Sequence, residues 1–253
     1  MEAVLYVAHG TRVQKGIDEA IQFIDTVKQL VPTAIQEICF LELAEPSIIE
    51  GVRRCVTQGA THIAVVPILL LTANHAKEDI PAELAHAQQL FPTVSFTVGQ
   101  PFGIHERLLD SLQQRLAHYT LEPHARIYLI GRGSSDPAPK RDLTEIAALL
   151  ETRISRQVDV CFLYGVGPTF EETLAAIQQR NDNTPIYIIP YLLFSGLLQH
   201  HIEKTIHSLQ FDTANVTLCA PLGYDENVQH VLAQRTYETL QQIQQTKERA
   251  SHG

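Results

Sequence analysis

Two histidines and a glutamate, His9, Glu42 and His75, stand at or just after the ends of the first three predicted strands. Neutral imidazoles and a carboxylate are ligands that divalent first-row metal ions accept, with coordination positions left open. Histidine also titrates near neutral pH, so the same groups can accept protons. Each residue alone has a structural interpretation, since a strand-end histidine can bond a neighbouring loop and a glutamate near Pro46 can cap a helix. Their combination in one half of the chain predicts a site for metal binding and proton transfer.

The elements that position these residues alternate between strand-like and helix-like patterns. The strand-like segments of the first half are residues 3–8, 35–41, 63–68 and 94–98; the helix-like segments are residues 15–30, 75–90 and 105–118, and one more helix begins at Pro46. Such alternation indicates parallel β-α-β units with helices on both faces of the sheet. In an open parallel sheet, ligands bind just beyond the carboxyl ends of the strands. The three candidate residues lie at that position.

The second half of the chain repeats the first at an offset of about 120 residues. The matching pairs are CFL at 39–41 and 161–163, VPILL at 66–70 and IPYLL at 189–193, and PFG at 101–103 and PLG at 221–223. The repeat predicts an α/β protein of two homologous domains, residues 1–121 and 122–253, with a cleft between them. Each domain would hold a parallel β-sheet flanked by helices. The polar tail from residue 241 onward is expected to be irregular.

The two copies differ in their chemistry. A gap-free alignment places Arg132, Tyr164 and Leu198 opposite the three candidate residues of the first copy. Only the first copy therefore carries the imidazoles and the carboxylate. We expect the first domain to perform the chemistry and the second to hold the substrate or complete the cleft.

Composition excludes several classes of function. A net charge of −9 argues against nucleic acid as a partner, because binding phosphates needs a basic face. No apolar run reaches the roughly 18 residues of a membrane span, and the N-terminus lacks a secretory pattern, so we expect a cytoplasmic protein. The cysteines form no C-x-x-C pair, which argues against an iron–sulfur cluster or a structural zinc site.

Four stretches carry a resemblance to a known family. They are VAHGTR at 7–12, FLELAEP at 40–46, VPILLLTANHAKEDIP at 66–81 and LIGRGSSD at 129–136. With them, almost the whole chain resembles the class II tetrapyrrole chelatases, a family that includes two-domain sirohydrochlorin ferrochelatases and the related CbiX cobaltochelatases. The resemblance implies insertion of Fe2+ into sirohydrochlorin, with Co2+ or Ni2+ as other candidate ions. It also implies that His9, Glu42 and His75 form the metal-binding and catalytic set.

Sirohydrochlorin carries several carboxylates, so an acidic chelatase needs local cations to bind it. The candidates are Arg12, Lys77 and Arg132, together with Ser134 and Ser135, whose backbone N–H groups would act at a helix start. No tightly bound cofactor is expected, because the metal ion is a substrate, and a monomer is expected.

Three other functions are considered: the residues leave two of them open and disfavour the third. A cobaltochelatase for cobalamin synthesis and a carrier that binds metal or tetrapyrrole without turnover both remain open. A histidine phosphatase is disfavoured, because Ala8 occupies the position of the arginine that precedes the nucleophilic histidine in that class.

Overall fold

The computed structural model describes residues 1–72, 75–180, 183–193, 196–208, 215–223 and 225–251, without the side chains of residues 75, 250 and 251. The strands within these ranges are β1 Glu2–Ala8, β2 Ile35–Phe40, β3 His62–Ile68, β4 Ser95–Val98, β5 Arg126–Gly131, β6 Val158–Phe162, β7 Ile186–Pro190 and β8 Val216–Leu218. The helices are α1 Gln14–Leu30, α2 Ile48–Thr57, α3 Ile80–Leu90, α4 Glu106–Ala117, α5 Ala138–Ile154, α6 Phe170–Arg180, α7 Leu197–Ser208 and α8 Glu226–Ser251, with a π-helix at His75–Asp79. The predicted α/β fold is confirmed.

The strands form two four-stranded parallel sheets with the same order, β2-β1-β3-β4 and β6-β5-β7-β8. In the first sheet, the residues from Ala3 to Val7 of β1 are at most 1% exposed. Helices cover both faces of a parallel sheet, so its inner strands are apolar without alternation. Ile48 and Val52 of α2 pack into the same apolar cluster as Leu5 of β1. The central strand therefore ends at the sheet edge with its side chains fixed by packing.

The helix that was expected to begin at Pro46 begins two residues later. Helix α2 starts at Ile48, and the hydroxyl of Ser47 accepts a hydrogen bond from the N–H of Glu50 at 3.3 Å. The carbonyl of Pro46 accepts from the N–H of Phe40 at 2.8 Å. Pro46 therefore extends the hydrogen bonding of β2 instead of opening the helix.

Helix α8 includes the tail that was expected to be irregular, so that prediction was wrong. Buried residues recur along α8 at positions i, i+3, i+4 and i+7: Thr236, Thr239, Leu240 and Ile243. This spacing places them on one face of the helix, although glutamines make the segment polar overall. Neither α8 nor any other helix of the described ranges has both the length and the apolar character needed to cross a membrane.

The compact units of the structure do not follow the sequence repeat. One unit consists of residues 1–103 and 229–253, and the other of residues 104–228. Helix α4 follows the strands of the first sheet but belongs to the second unit, and most of α8 follows the second sheet but belongs to the first. The predicted domains 1–121 and 122–253 divide the chain by repeat, whereas the compact units exchange their last helices.

An arginine on exchanged helix α8 holds a loop of the first unit. Arg235 donates from Nη2 to the carbonyl of Phe102 at 2.7 Å. The N–H groups of Phe102 and Gly103 donate in turn to the carbonyls of Leu69 and Leu70, both at 2.9 Å. Arg235 thus fixes the loop after β4, and this loop fixes the segment after β3.

An arginine on helix α4 holds the equivalent loop of the second unit. Arg115 donates from Nε and Nη2 to the carbonyls of Pro221 and Leu222 at 2.9 and 2.5 Å, and its Nη2 lies 3.5 Å from Asp225. The N–H of Leu222 donates to the carbonyl of Leu192 at 3.1 Å. The two repeats therefore hold equivalent loops with arginines from equivalent, exchanged helices.

Replacing Arg235 with glutamine is expected to lower the free energy of unfolding by about 2 kcal/mol, because a charged donor is lost from the Phe102 carbonyl. Urea unfolding followed by circular dichroism measures the change. Arg53→Gln is the matched control: Arg53 is 57% exposed and pairs with Glu50 on the surface, and such pairs contribute at most about 1 kcal/mol. Equal unfolding midpoints for the two variants would contradict the role of Arg235.

Candidate active site

His9 and Glu42 come to the same edge of the first sheet because β1 and β2 are parallel neighbours. Beyond the last paired residues, the N–H of Leu41 donates to the carbonyl of Ala8 at 2.8 Å, and the N–H of Glu42 donates to the carbonyl of His9 at 3.1 Å. The pairing of the two strands thus continues one step past their ends. It places an imidazole and a carboxylate side by side at the carboxyl edge, where parallel sheets bind ligands.

Gly10 makes this close approach of the two chains possible. Its φ is +93°, and a Cβ built on it would lie 1.8 Å from the carbonyl oxygen of Glu42. Gly133 stands in the same relation to Tyr164 in the second sheet, with φ +84° and the same distance of 1.8 Å. A side chain at either glycine would push the two strand ends apart.

The hydrogen bond at Nδ1 of His9 defines how the ring faces Glu42. Nδ1 lies 3.1 Å from the carbonyl oxygen of Gly10. A carbonyl only accepts, so Nδ1 carries the proton of this bond. In the neutral ring, Nε2 then holds the lone pair, and Nε2 lies 3.4 Å from Oε1 of Glu42. Backbone carbonyls orient metal-binding histidines in this manner.

This geometry suits a cation between His9 and Glu42. A lone pair on Nε2 and a carboxylate oxygen repel each other at 3.4 Å unless a proton or a metal ion lies near both. The side chains are 24% and 47% exposed, so ions from solvent reach them. A proton or a metal ion between the two groups would relieve this repulsion, and the metal-binding role of the pair stays a prediction.

The other predicted residues of the first repeat lie in the loops after β1 and β3. Arg12 is exposed between β1 and α1, and Lys77 is exposed in the π-helix that begins at His75. The side chain of His75, the predicted second imidazole, lies outside the described residues. Its metal-binding role therefore stays a prediction.

Cysteine thiolates do not take part in the site. Burial raises the pKa of the Cys55 and Cys161 thiols to about 12 and that of Cys219 to about 11, and it raises the pKa of Cys39 well above its usual value. A metal binds the thiolate, so these thiols stay protonated core groups. Among the side chains that the structure describes, no three His, Cys, Asp or Glu groups are placed to hold one metal ion.

The second sheet has the same strand-end geometry with different side chains. The N–H of Tyr164 donates to the carbonyl of Arg132 at 3.0 Å, as Glu42 does to His9. Arg132 is exposed, and Tyr164 is 54% exposed. This edge therefore presents a guanidinium and a phenol in place of the imidazole and the carboxylate.

Ser134 and Ser135 precede helix α5 instead of opening it. The helix begins at Ala138, and the carboxylate of Asp136 accepts from its N–H at 2.9 Å. The Ser134 hydroxyl accepts from the N–H of Asp136 at 3.1 Å. The serines therefore lie four and three residues before the helix, and not at its start as expected. Their contact with substrate stays a prediction.

Leu43, which was not predicted as part of the site, follows Glu42 with a φ of +62°. A left-handed backbone at a leucine is strained, and such strain concentrates at functional sites. The repeat contained a signal for it, because Gly165 with φ +80° follows Tyr164 at the equivalent position.

Comparison with known proteins places these observations in a family. A sequence profile of the CbiX family matches residues 3–119 and 126–239, one match for each repeat. The chain is 43% identical to a sirohydrochlorin ferrochelatase of Priestia megaterium over 95% of this chain and 91% of that protein. It is 33% identical to a sirohydrochlorin cobaltochelatase of the same organism, over 95% of this chain and 81% of that protein.

A solved structure agrees with the sequence matches. SirB from Bacillus subtilis with Fe3+ superposes with a TM-score of 0.86 at 42% identity, over 94% of this chain and 95% of that chain. The profile covers most of the sequence, and both repeats match it. This chain belongs to the CbiX family.

Proposed function

We propose that this protein is a sirohydrochlorin ferrochelatase, an enzyme that inserts Fe2+ into sirohydrochlorin to form sirohaem. The observation that carries the proposal is the pair of His9 Nε2 and Glu42 Oε1, 3.4 Å apart at the open edge of the first sheet. Relatives with this activity match nearly the whole chain, at 43% identity in Priestia megaterium. The metal ion is a substrate, and no tightly bound cofactor is proposed.

Insertion replaces the ligands of the ion and removes two protons from the ring. A site with few ligands binds Fe2+ weakly enough to release it, whereas four thiolates would retain it. As two pyrrole N–H groups give up their protons, the ring nitrogens replace His9 and Glu42 on the ion. The protons go to bases at the site: His9 Nε2 is one, and His75 is the predicted second. Fe2+ and sirohydrochlorin thus give sirohaem and two protons.

The substrate is flat and polyanionic, and the described surface offers both apolar and basic groups beside the site. Leu43 is 49% exposed directly after Glu42, and Arg12 is exposed after β1. We propose that Arg12, Lys77 and Arg132 bind substrate carboxylates, with help from Ser134 and Ser135. Guanidinium groups match carboxylates with two parallel hydrogen bonds, which orients the ring as well as binding it.

The second candidate is a cobaltochelatase, because Co2+ and Fe2+ accept the same nitrogen and oxygen ligands. The identity of 33% to a cobaltochelatase supports this alternative, but the identity of 43% to a ferrochelatase favours iron. A carrier that binds metal and ring without turnover is the third candidate. We propose further that the protein is a monomer and that it lies in the cytoplasm.

An anaerobic assay tests these candidates together. Purified protein is mixed with sirohydrochlorin and Fe2+, and the change in absorption spectrum is compared with the spontaneous reaction. We expect insertion well above the spontaneous rate, and faster with Fe2+ than with Co2+ at equal concentration. Faster cobalt insertion would indicate the cobaltochelatase, and bound ring at the spontaneous rate would indicate the carrier. Light scattering on the same sample measures the oligomeric state.

A further inference from the structure

A cavity of about 370 Å³ opens in the second unit at the amino-terminal edge of its sheet. Its walls come from the segments that lead into strands β5, β6 and β7: Pro123, His124, Ala125, Arg126, Ser155, Arg156, Gln157, Arg180 and Thr184. None of these residues belongs to the candidate active site. The cavity is thus a second concave surface with its own chemistry.

Positive charge dominates the cavity. Arg126, Arg156 and Arg180 line it, and none of the described residues that line it is acidic. Guanidinium groups keep their charge at any physiological pH. The protein as a whole carries a net charge of −9, so three arginines around one cavity oppose the overall charge. Such a cluster attracts an anion.

Arg156 is held in place without a carboxylate partner among the described residues. Its Nε donates to the carbonyl of Glu122 at 2.9 Å, its Nη1 to that of Ser155 at 2.8 Å and its Nη2 to that of Leu121 at 3.4 Å. Carbonyl oxygens orient the guanidinium but do not neutralise it. The charge is therefore fixed in position before any ligand arrives, which lowers the entropy cost of binding.

Arg126 and Arg180 are anchored by the sheet. Nη2 of Arg126 lies 2.5 Å from Oδ2 of Asp159, which also accepts from Gln157. Nε of Arg126 is buried and finds no hydrogen-bond partner within the described chain. Arg180 interacts with the hydroxyl of Tyr128, whose pKa burial raises, so that the phenol stays neutral. The three guanidiniums are thus presented by three separate segments.

The first repeat shows that the fold does not require these arginines. Val4 pairs with Gln36 in the first sheet as Ile127 pairs with Val158 in the second. This register places Ala3 opposite Arg126 and Ala34 opposite Arg156. The same sheet edge therefore forms with alanines at both positions, so the needs of the fold do not explain the arginines.

We infer that this cavity binds a phosphoryl group, either as free inorganic phosphate or on a small phosphate monoester. A dianion with several oxygens suits three guanidiniums better than a single carboxylate does, because it offers separate oxygens to the N–H groups that the described residues leave unbonded. The volume of about 370 Å³ leaves room for an organic group beside the phosphoryl group. The inference does not depend on the chelatase activity.

Calorimetric titration of the whole protein with inorganic phosphate and with glycerol 3-phosphate, at constant ionic strength, tests the site. We expect saturable binding of at least one of them, weakened about tenfold or more in Arg156→Gln and in Arg180→Gln, since charged hydrogen bonds are lost. Arg53→Gln removes the same charge from helix α2 of the first unit, which does not line the cavity, and is expected to bind as the wild type does. Thermal melting establishes that each variant is folded.

Each outcome of the titration either supports or overturns the inferred phosphoryl site. Tighter binding of glycerol 3-phosphate supports a monoester site, and tighter binding of inorganic phosphate supports a free-anion site. Absence of saturable binding by folded wild-type protein overturns the inference. An equal loss in Arg53→Gln and Arg156→Gln also overturns it, because binding would then follow net charge. Iron insertion without phosphate is expected to be unchanged in all three variants.

Discussion

Replacing His9 with alanine is expected to lower kcat for Fe2+ insertion by at least about a hundredfold, since a positioned base contributes this much or more. The variant loses Nε2, which faces Glu42 at 3.4 Å, and with it the proposed proton acceptor. The fold should persist, because the side chain lies at the sheet edge and is 24% exposed. Anaerobic initial rates with varied sirohydrochlorin separate kcat from KM. His75→Ala is expected to have a similar effect.

The Glu42→Gln variant separates charge from shape at this site. The amide keeps the size of the side chain but no longer balances a cation, and we expect about a 10- to 100-fold loss of activity with weaker metal affinity. His86→Ala is the matched control, because His86 is exposed on α3 and lies outside the site. A His9→Ala variant as active as His86→Ala would refute the site.

The second large effect is expected from Gly10→Ala. The added Cβ would lie 1.8 Å from the carbonyl oxygen of Glu42, so the strand ends must separate and the carboxylate must move away from His9. We expect insertion to fall to near the spontaneous rate. The unfolding free energy should fall by about 3 kcal/mol or more, from the left-handed backbone and the clash together.

Gly59→Ala isolates the backbone contribution. Gly59 has the same φ of +93°, but a Cβ there would meet only the Met1 sulfur at 3.7 Å. The Gly59→Ala variant should therefore lose only roughly 1–2 kcal/mol of unfolding free energy, from the left-handed alanine, and should keep its insertion activity. Urea unfolding and initial rates on both variants make the comparison. Equal losses of stability in the two, with activity retained in Gly10→Ala, would show that the close approach is unimportant.

The inner strands and the strand ends were predictable because their signals are local. A buried parallel strand needs a continuous apolar run, and the run in β1 is visible in the sequence. The duplication presents each strand end twice in the sequence. The repeat alone therefore aligns His9 with Arg132 and Glu42 with Tyr164. Gly10 and Gly133 stand at matching positions for the same reason.

Other features depended on contacts between distant segments. The start of α2 was misplaced because Pro46 bonds to Phe40 of β2, a contact that helix propensity does not contain. The tail was expected to be irregular because its glutamines mask the apolar face that α8 packs against the sheet of the first unit. Local composition does not indicate that α4 and α8 are exchanged between the units. It also does not indicate that Arg115 and Arg235 on these helices bind loop carbonyls.

The sequence by itself determined the fold class and the repeat, since side-chain type and short-range periodicity decide these, and it predicts the donor groups. Tertiary structure alone decided that His9 Nδ1 bonds to a carbonyl and that Nε2 faces a carboxylate. It also gathered three arginines from separate segments around one cavity. Both depend on distances of a few ångströms between groups far apart in the chain, and packing sets those distances.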